Sequence, residues 1–156
     1  MNQTILLVED DTNDVFFMRR AFKEAGILNQ VQVAQDGRAA MDYLSGGGRY
    51  ADRDQFPLPR LVLLDLKLPR VMGLEVLKWI REQPVLNGVI VIILSSSQIG
   101  RDIDTAYRLG ANAFLVKPSG PLKLSAIAAG IKQFWLDKDP GPARFWKSGE
   151  LIGNLG

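Results

Sequence analysis

Glu9, Asp10 and Asp11 stand directly after an apolar run, Thr4-Ile5-Leu6-Leu7-Val8, and Asp65 closes a second, Arg60-Leu61-Val62-Leu63-Leu64. Ser95, Ser96 and Ser97 close a third, Val89-Ile90-Val91-Ile92-Ile93-Leu94, and Lys117-Pro118 closes a fourth, Ala113-Phe114-Leu115-Val116. Gathered in one place, these positions offer carboxylates, hydroxyls and one ammonium. Carboxylates within a few ångströms repel one another, and unrelieved crowding raises the pKa of one of them. A divalent cation relieves it. All-oxygen ligation favours magnesium, calcium or manganese over zinc. Magnesium takes few protein carboxylates and keeps waters or phosphate oxygens in its other positions, so the set points to phosphate chemistry. A carboxylate nucleophile, a metal and a lysine to neutralise charge, and a hydroxyl donor are the parts of a phosphoryl transfer to aspartate.

Each signal has a plainer reading when taken alone. Acids after a strand are often helix caps, and Asp11 or Thr12 fits that role. A lysine before a proline is an ordinary surface residue, and three serines make a polar loop. Asp65 is harder to dismiss, because it ends a wholly apolar run. The weight lies in the joint occurrence at several strand ends.

Composition narrows the field. The chain has 156 residues, 47% hydrophobic and 23% charged, which suits one globular domain with a substantial core. It has no cysteine and no histidine. Disulfides, zinc-thiolate sites, Ser-His-Asp triads and histidine bases are therefore excluded. The net charge is +2 with scattered basic residues, so no nucleic-acid stripe is expected. No apolar run approaches the roughly 18 residues of a membrane span, and the start, Met1-Asn2-Gln3-Thr4-Ile5, lacks the marks of a secretory signal. A cytoplasmic location and no membrane partner are expected.

The elements that position these residues follow from periodicity. The four runs, with a weaker one at Val31-Gln32-Val33-Ala34, read as strands, and the near-continuity of three of the four predicts burial on both faces of a parallel sheet. Val15, Met18, Phe22 and Ala25 mark a first helix, ending at Gly26. Ala39, Ala40, Met41 and Leu44 mark a second, after Asp36-Gly37. Leu74, Leu77, Ile80 and Arg81 mark a third, and Ile103, Ala106, Tyr107 and Leu109 a fourth, ending at Gly110. Leu124, Ile127, Ala128, Ile131 and Trp135 mark a fifth, with Pro121 near its start. Strand and helix alternate five times, which predicts a doubly wound α/β domain of five parallel strands and five helices. In such sheets ligands bind beyond the carboxyl ends of the strands, where the acids, Ser95 and Lys117 stand. Two segments break the rhythm. Residues 46–59 form a long connection with an isolated glycine cluster, read as a turn because no Lys-Ser/Thr follows it. Residues 137–156, rich in proline and glycine, read as an irregular tail after a domain spanning 1–136.

The ordered set Leu7-Val8-Glu9-Asp10-Asp11, Leu63-Leu64-Asp65-Leu66-Lys67-Leu68-Pro69 with Gly73, Ile93-Leu94-Ser95, Gly110-Ala111 and Phe114-Leu115-Val116-Lys117-Pro118 resembles the receiver domain of bacterial two-component response regulators. The resemblance spans about residues 4 to 136 and implies a flavodoxin-like fold. It implies Asp65 as the phosphoacceptor, with Asp10, Asp65 and the Lys67 carbonyl as magnesium ligands and Glu9 acting through a metal-bound water. It implies that Lys117 pairs with the phosphoryl group, that Ser95 is the switch hydroxyl, and that Phe114 is the aromatic switch. It also implies a cis Lys117–Pro118 bond. Lys67 and Ser97 fall where this family tunes dephosphorylation, which leaves the lifetime of the phosphorylated state open.

The long connection and the ending Phe134-Trp135-Leu136 resemble stand-alone regulators that partner bacterial phytochromes and related kinases. That implies a sensor histidine kinase as donor and a protein target or phosphotransfer protein as output, with no activity beyond self-phosphorylation and slow self-dephosphorylation. About 20 residues follow the last helix, too few for a DNA-binding domain. A homodimer through Phe134, Trp135 and the adjoining strand is expected, because three consecutive apolar residues cannot all face the sheet. Cover by Phe145 and Trp146 of the tail is the intramolecular alternative. A degenerate receiver that only binds partners is the competing function; Asp65, Asp10 and Lys117 all being present argues against it.

Overall fold

The computed structural model describes residues 3–96, 100–118, 121–137, 143–147 and 150–155, with side chains for all of these but 121–123 and the last two segments. The first five strands of the sheet run parallel: β1 (Ile5–Val8), β2 (Val31–Ala34), β3 (Leu61–Leu64), β4 (Ile90–Ser95) and β5 (Ala113–Val116), in the spatial order β2-β1-β3-β4-β5, and two further strands extend it beyond β5. Helices α1 (Thr12–Glu24), α2 (Gly37–Ser45), α3 (Gly73–Glu82), α4 (Gly100–Arg108) and α5 (Pro121–Ile131) cover both faces. The apolar runs are continuous because alternate residues serve different cores. Leu6, Val8, Val62, Leu64, Val91 and Ile93 pack with α2, α3 and α4. Ile5, Leu7, Leu61, Leu63, Ile92 and Leu94 pack with α1 and α5.

Local chemistry starts and stops the helices where expected. Asp11 caps α1, its Oδ1 accepting from Asn13 N at 2.8 Å and Asp14 N at 3.1 Å. Asp36 caps α2 by accepting from Ala39 N at 2.7 Å. Gly26 and Gly46 leave the two helices at φ 79° and 75°, where an L side chain is disfavoured.

The tail departs from expectation. It is not irregular in its described residues: β6 (Ala143–Lys147) pairs in parallel with β5 through Ala113↔Trp146 and Phe114↔Lys147, and β7 (Glu150–Leu155) runs antiparallel to β6. Proline and glycine outweighed the β-prone Phe145, Trp146, Leu151 and Ile152 in the sequence reading. A bare β5 edge presents unpaired backbone groups, and β6 satisfies some of them. The chain also leaves α5 through a π-helical turn, Lys132–Leu136. That turn seats Trp135, 5% exposed, in the core beneath α1 and α5, with Phe134 and Leu136 partly buried against it. The side chains of Phe145 and Trp146 lie outside the described residues. No peptide bond among the described residues is cis, Lys117–Pro118 included. The two isomers of a prolyl bond differ by only about 0.5–1 kcal/mol, so the local sequence does not decide between them.

The long connection is packed by its own side chains. The rings of Tyr43, Tyr50 and Phe56 meet with centroids 5.1–6.0 Å apart. Arg53 donates to the carbonyls of Tyr43 (2.8 Å), Leu44 (2.9 Å) and Phe56 (3.1 Å), closing the end of α2. Tyr43 Oη donates to Pro57 O at 2.7 Å.

Two glycines hold the segment after Asp65. A Cβ at Gly73 would lie 2.2 Å from the Asp65 carbonyl oxygen, and one at Gly37 would lie 2.1 Å from that of Val71. The first turns of α2 and α3 thus press directly on the β3–α3 loop, and Gly73 N donates to Leu66 O at 3.0 Å. Gly73→Ala is expected to lower stability by about 1–3 kcal/mol, because backbone must move to admit the methyl group. Gly88→Ala is the control, since nothing lies within 4 Å of its added Cβ. Urea denaturation of the two variants checks this; equal midpoints would contradict the contact.

Candidate functional site

The acids and the lysine converge beyond the carboxyl ends of the strands. Glu9 and Asp10 leave β1, Asp65 leaves β3, and Lys117 leaves β5. The ladder continues through them: Glu9 N donates to Ala34 O at 3.0 Å, Asp65 N to Val8 O at 3.2 Å and Lys117 N to Ser95 O at 2.8 Å. Their backbones are therefore as fixed as the sheet. Glu9 and Asp65 are 4% and 8% exposed, whereas Asp10 faces solvent. One carboxylate oxygen from each of Glu9, Asp10 and Asp65 lies within 4.8 Å of the others.

Lys117 Nζ is the hub. It donates to Glu9 Oε1 at 2.5 Å, Asp65 Oδ2 at 2.9 Å and Asp14 Oδ2 at 3.1 Å. Asp65 Oδ1 accepts from Lys67 N at 3.1 Å, so a charged donor and a backbone donor together set the carboxylate plane. Glu9 Oε2 accepts from Asp11 N at 3.2 Å. Burial pushes the Glu9 carboxyl up to about 7; contact with Lys117 pulls it down, and the Asp65 charge adds a smaller push upward. The direction agrees with the crowding argument, but loss of water outweighs like-charge repulsion. Burial alone would lower the Lys117 pKa, yet its hydrogen bonds to Glu9 and Asp65 outweigh that and hold the ammonium above its ordinary range.

Ser95 ends β4 with no exposure. Phe114 is 2% exposed and points into the core shared with Ala106, Val91 and Ile93. Its N–H donates to Tyr107 Oη of α4 at 3.0 Å. Burial raises the Tyr107 pKa, while this hydrogen bond works in the opposite sense. Ser97 lies outside the described residues. Phe134 and Trp135 belong to the α1–α5 core and not to the acidic cluster. Sequence reasoning missed two contributors. Asp14 reads as an ordinary first-turn acid of α1, and only its place three residues past the cap Asp11 hints that it turns back toward the acids. Tyr107 reads as apolar periodicity, and its hydroxyl contact is invisible in one dimension.

The arrangement suits a divalent cation on chemical grounds. The donor set is all oxygen, one member is open to solvent, and among the described residues a single ammonium, Lys117 Nζ, is shared by three carboxylates.

Five consecutive parallel strands, β1 to β5, with acids after β1 and β3 and a lysine after β5 define a receiver domain. The response regulator receiver domain family matches residues 5–129, and the chain belongs to it. It is 40% identical over 144 residues to the probable methanogenesis regulatory protein FilR2 of Methanothrix harundinacea, covering 89% of this chain and 88% of that one. It is 36% identical over 141 residues to response regulator Rcp1 of Synechocystis, covering 90% and 94%. The crystal structure of the Mn(2+)-bound form of Rcp1 matches with a TM-score of 0.79 at 35% identity over 88% of this chain and 96% of that one. The phosphorylated cyanobacterial phytochrome response regulator RcpA matches with a TM-score of 0.82 at 33% identity over 98% and 100%. The protein is thus a signalling domain with a phosphoacceptor receiver role, and it resembles the phytochrome response regulators. Among the described residues no helix is long and apolar enough to cross a membrane.

The Glu9 shift sets a pH dependence. Its folded pKa of about 7 lies above the ordinary 4.5, so the folded state binds the extra proton between those values. Its contribution is fully present below pH 4.5 and is lost as pH rises through 7. Metal-free protein in chelator is expected to lose about 1–3 kcal/mol over that window. Glu9→Gln should flatten the profile. Urea unfolding across the range checks this, and parallel profiles for wild type and variant would contradict it.

Proposed function

We propose that Asp65 accepts a phosphoryl group from the phosphohistidine of a sensor histidine kinase. The observation that carries this is the Asp65 carboxylate itself, nearly buried and held between Lys117 Nζ and Lys67 N beside two further acids. A carboxylate oxygen attacks phosphorus, the P–N bond to the imidazole breaks, and a P–O bond to Asp65 forms. Lys117, freed from Asp65, pairs with a phosphoryl oxygen and remains anchored by Glu9 and Asp14. Magnesium would be held by Asp10, Asp65 and the Lys67 carbonyl, with Glu9 acting through water, and would supply further charge neutralisation of the transferring oxygens. Hydrolysis of the acyl phosphate returns the resting state slowly, and no other catalysis is assigned.

The Ser95 hydroxyl, at the end of β4, turns to donate to the phosphoryl group, and the space it leaves favours the inward Phe114 ring. Phe114 already lies inward in the resting chain, which fits a side chain with no hydroxyl to hold it in water. Phosphorylation therefore acts by consolidating a conformer already populated, with Tyr107 carrying the change to α4. The donor is a kinase of the phytochrome type, in line with the likeness to RcpA and Rcp1. Output passes to a protein target or phosphotransfer protein in the cytoplasm.

A homodimer through the end of α5, β5 and the start of the tail completes the reading. Its support is narrower than the sequence suggested, because Trp135 is enclosed by its own chain. Phe134 and Leu136, only partly buried, and Val116, 36% exposed, are the apolar surface that remains.

Acetyl phosphate with magnesium should add one phosphoryl group, mapped to Asp65 by mass spectrometry. Asp65→Asn should abolish it, and excess chelator should suppress it. Asp10→Asn should weaken magnesium binding about tenfold or more, beyond the effect of Glu9→Gln. An unchanged adduct in Asp65→Asn would sink the assignment. For the dimer, sedimentation at high micromolar concentration should show a species that Phe134→Ser weakens; a monomer both with and without beryllofluoride would end that part of the reading.

A further inference from the structure

The connection between residues 46 and 59 is a feature that the phosphoacceptor reading leaves unused. With α2 and the β3–α3 loop it borders an open groove of about 350 Å³. Asp36, Arg38 and Asp42 of α2, Arg49 and Tyr50 of the connection, and Arg70 of the loop line it. Its charges are not matched. Asp36 is committed to capping α2, and Asp42 faces Arg38 at 3.4 Å. Among the described residues neither Arg49 nor Arg70 has a carboxylate within ion-pair distance.

Both free guanidiniums are presented rather than merely exposed. Arg49 lies over the Tyr50 ring at 5.0 Å and within 5.9 Å of the Phe56 ring, in a connection that Arg53 ties to α2. Stacking restrains the guanidinium and leaves its N–H groups available, so little freedom is lost when an anion binds. Arg70 holds φ at 70°, a backbone region that side chains other than Gly, Asn or Asp seldom adopt. Residues kept in that region are often retained for what they present. Arginine and tyrosine are also the types concentrated in interface hot spots.

We propose that this groove is a docking site for an acidic segment of a partner protein, a short run of Asp and Glu whose carboxylates pair with Arg49 and Arg70. Guanidinium forks match carboxylates in geometry as well as charge. The groove is open to solvent, unlike the enclosed pockets that bury most of a small ligand. The acidic cluster around Asp65 would repel the same segment, which separates the two sites electrostatically.

The test is a titration of isotope-labelled full chain with a hexaglutamate peptide, read by amide NMR. Shifts are expected at residues 36–42, 47–50 and 70, with hexaglutamine giving none. An Arg49→Ala, Arg70→Gly double variant should weaken binding about tenfold or more, as two charge-assisted pairs are lost. Glycine accepts the positive φ of position 70 without strain, and amide positions distant from the groove and from the β3–α3 loop that match the unsubstituted chain certify the fold. Absence of shifts, shifts centred elsewhere, or equal binding by the double variant would overturn the proposal. So would displacement by inorganic phosphate as effective as by the peptide, which would make the groove a phosphate site.

Discussion

A single ammonium joins the carboxyl ends of the sheet. Lys117, fixed to β4 through its own backbone, reaches Glu9 after β1, Asp65 after β3 and Asp14 on α1. Carboxylates removed from water and set side by side cannot all stay ionised without an opposite charge within hydrogen-bonding range. The compensation is deliberately incomplete in its arithmetic: one cation serves three carboxylates, with Asp10 as a fourth acid at the rim. Burial, with a smaller push from the Asp65 charge, holds the Glu9 carboxyl at about 7 despite its contact with Lys117. The same deficit makes the cluster receptive to a divalent ion, and Asp10 leaves the approach open.

Precision at Asp65 comes from backbone contacts. Its carbonyl oxygen sits where a Cβ on Gly73 would be, and the Val71 carbonyl sits where one on Gly37 would be. The loop between β3 and α3 is therefore clamped between two helix N-termini, and Lys67 N is delivered to Asp65 Oδ1. Within the clamped loop Arg70 adopts a left-handed conformation that costs an L residue roughly 1–2 kcal/mol. Strain of this kind collects near functional sites because the surrounding structure over-determines it.

The response side is arranged differently. Phe114 lies in the core with its N–H on Tyr107, so β5 and α4 are already joined in the resting chain. On the proposed reading, a switch built this way would change populations more than shapes, and the free energy available to it would be that of a few new hydrogen bonds at the phosphoryl group. On the outer side of β5, β6 occupies the upstream half of the strand, leaving Leu115 and Val116 unpaired on that side among the described residues.

Much of this was legible in one dimension. Nearly continuous apolar runs announced a sheet buried on both faces, and the acids and lysine at strand ends announced the rim where they meet. Asp11 and Gly26 marked the two ends of the first helix, because capping is a short-range matter of one side chain or one φ angle. Asp65, Asp10, Glu9 and Lys117 could be named because strand ends in a parallel sheet share one rim. Asp14 and Tyr107 could not, since nothing local distinguishes a solvated first-turn acid from one folded onto a lysine 103 residues away. The tail was misread for a related reason: whether β-prone residues among prolines and glycines form a strand depends on an unsatisfied edge, and that edge exists only once β5 is in place. Trp135 likewise could be recognised as needing cover, but a π-helical turn decided that its own chain provides it. Composition and periodicity act over a few residues and so determined the elements and the rim. Which side chains meet across that rim, and which edges and rings find partners, depends on distances between elements that only the folded chain defines.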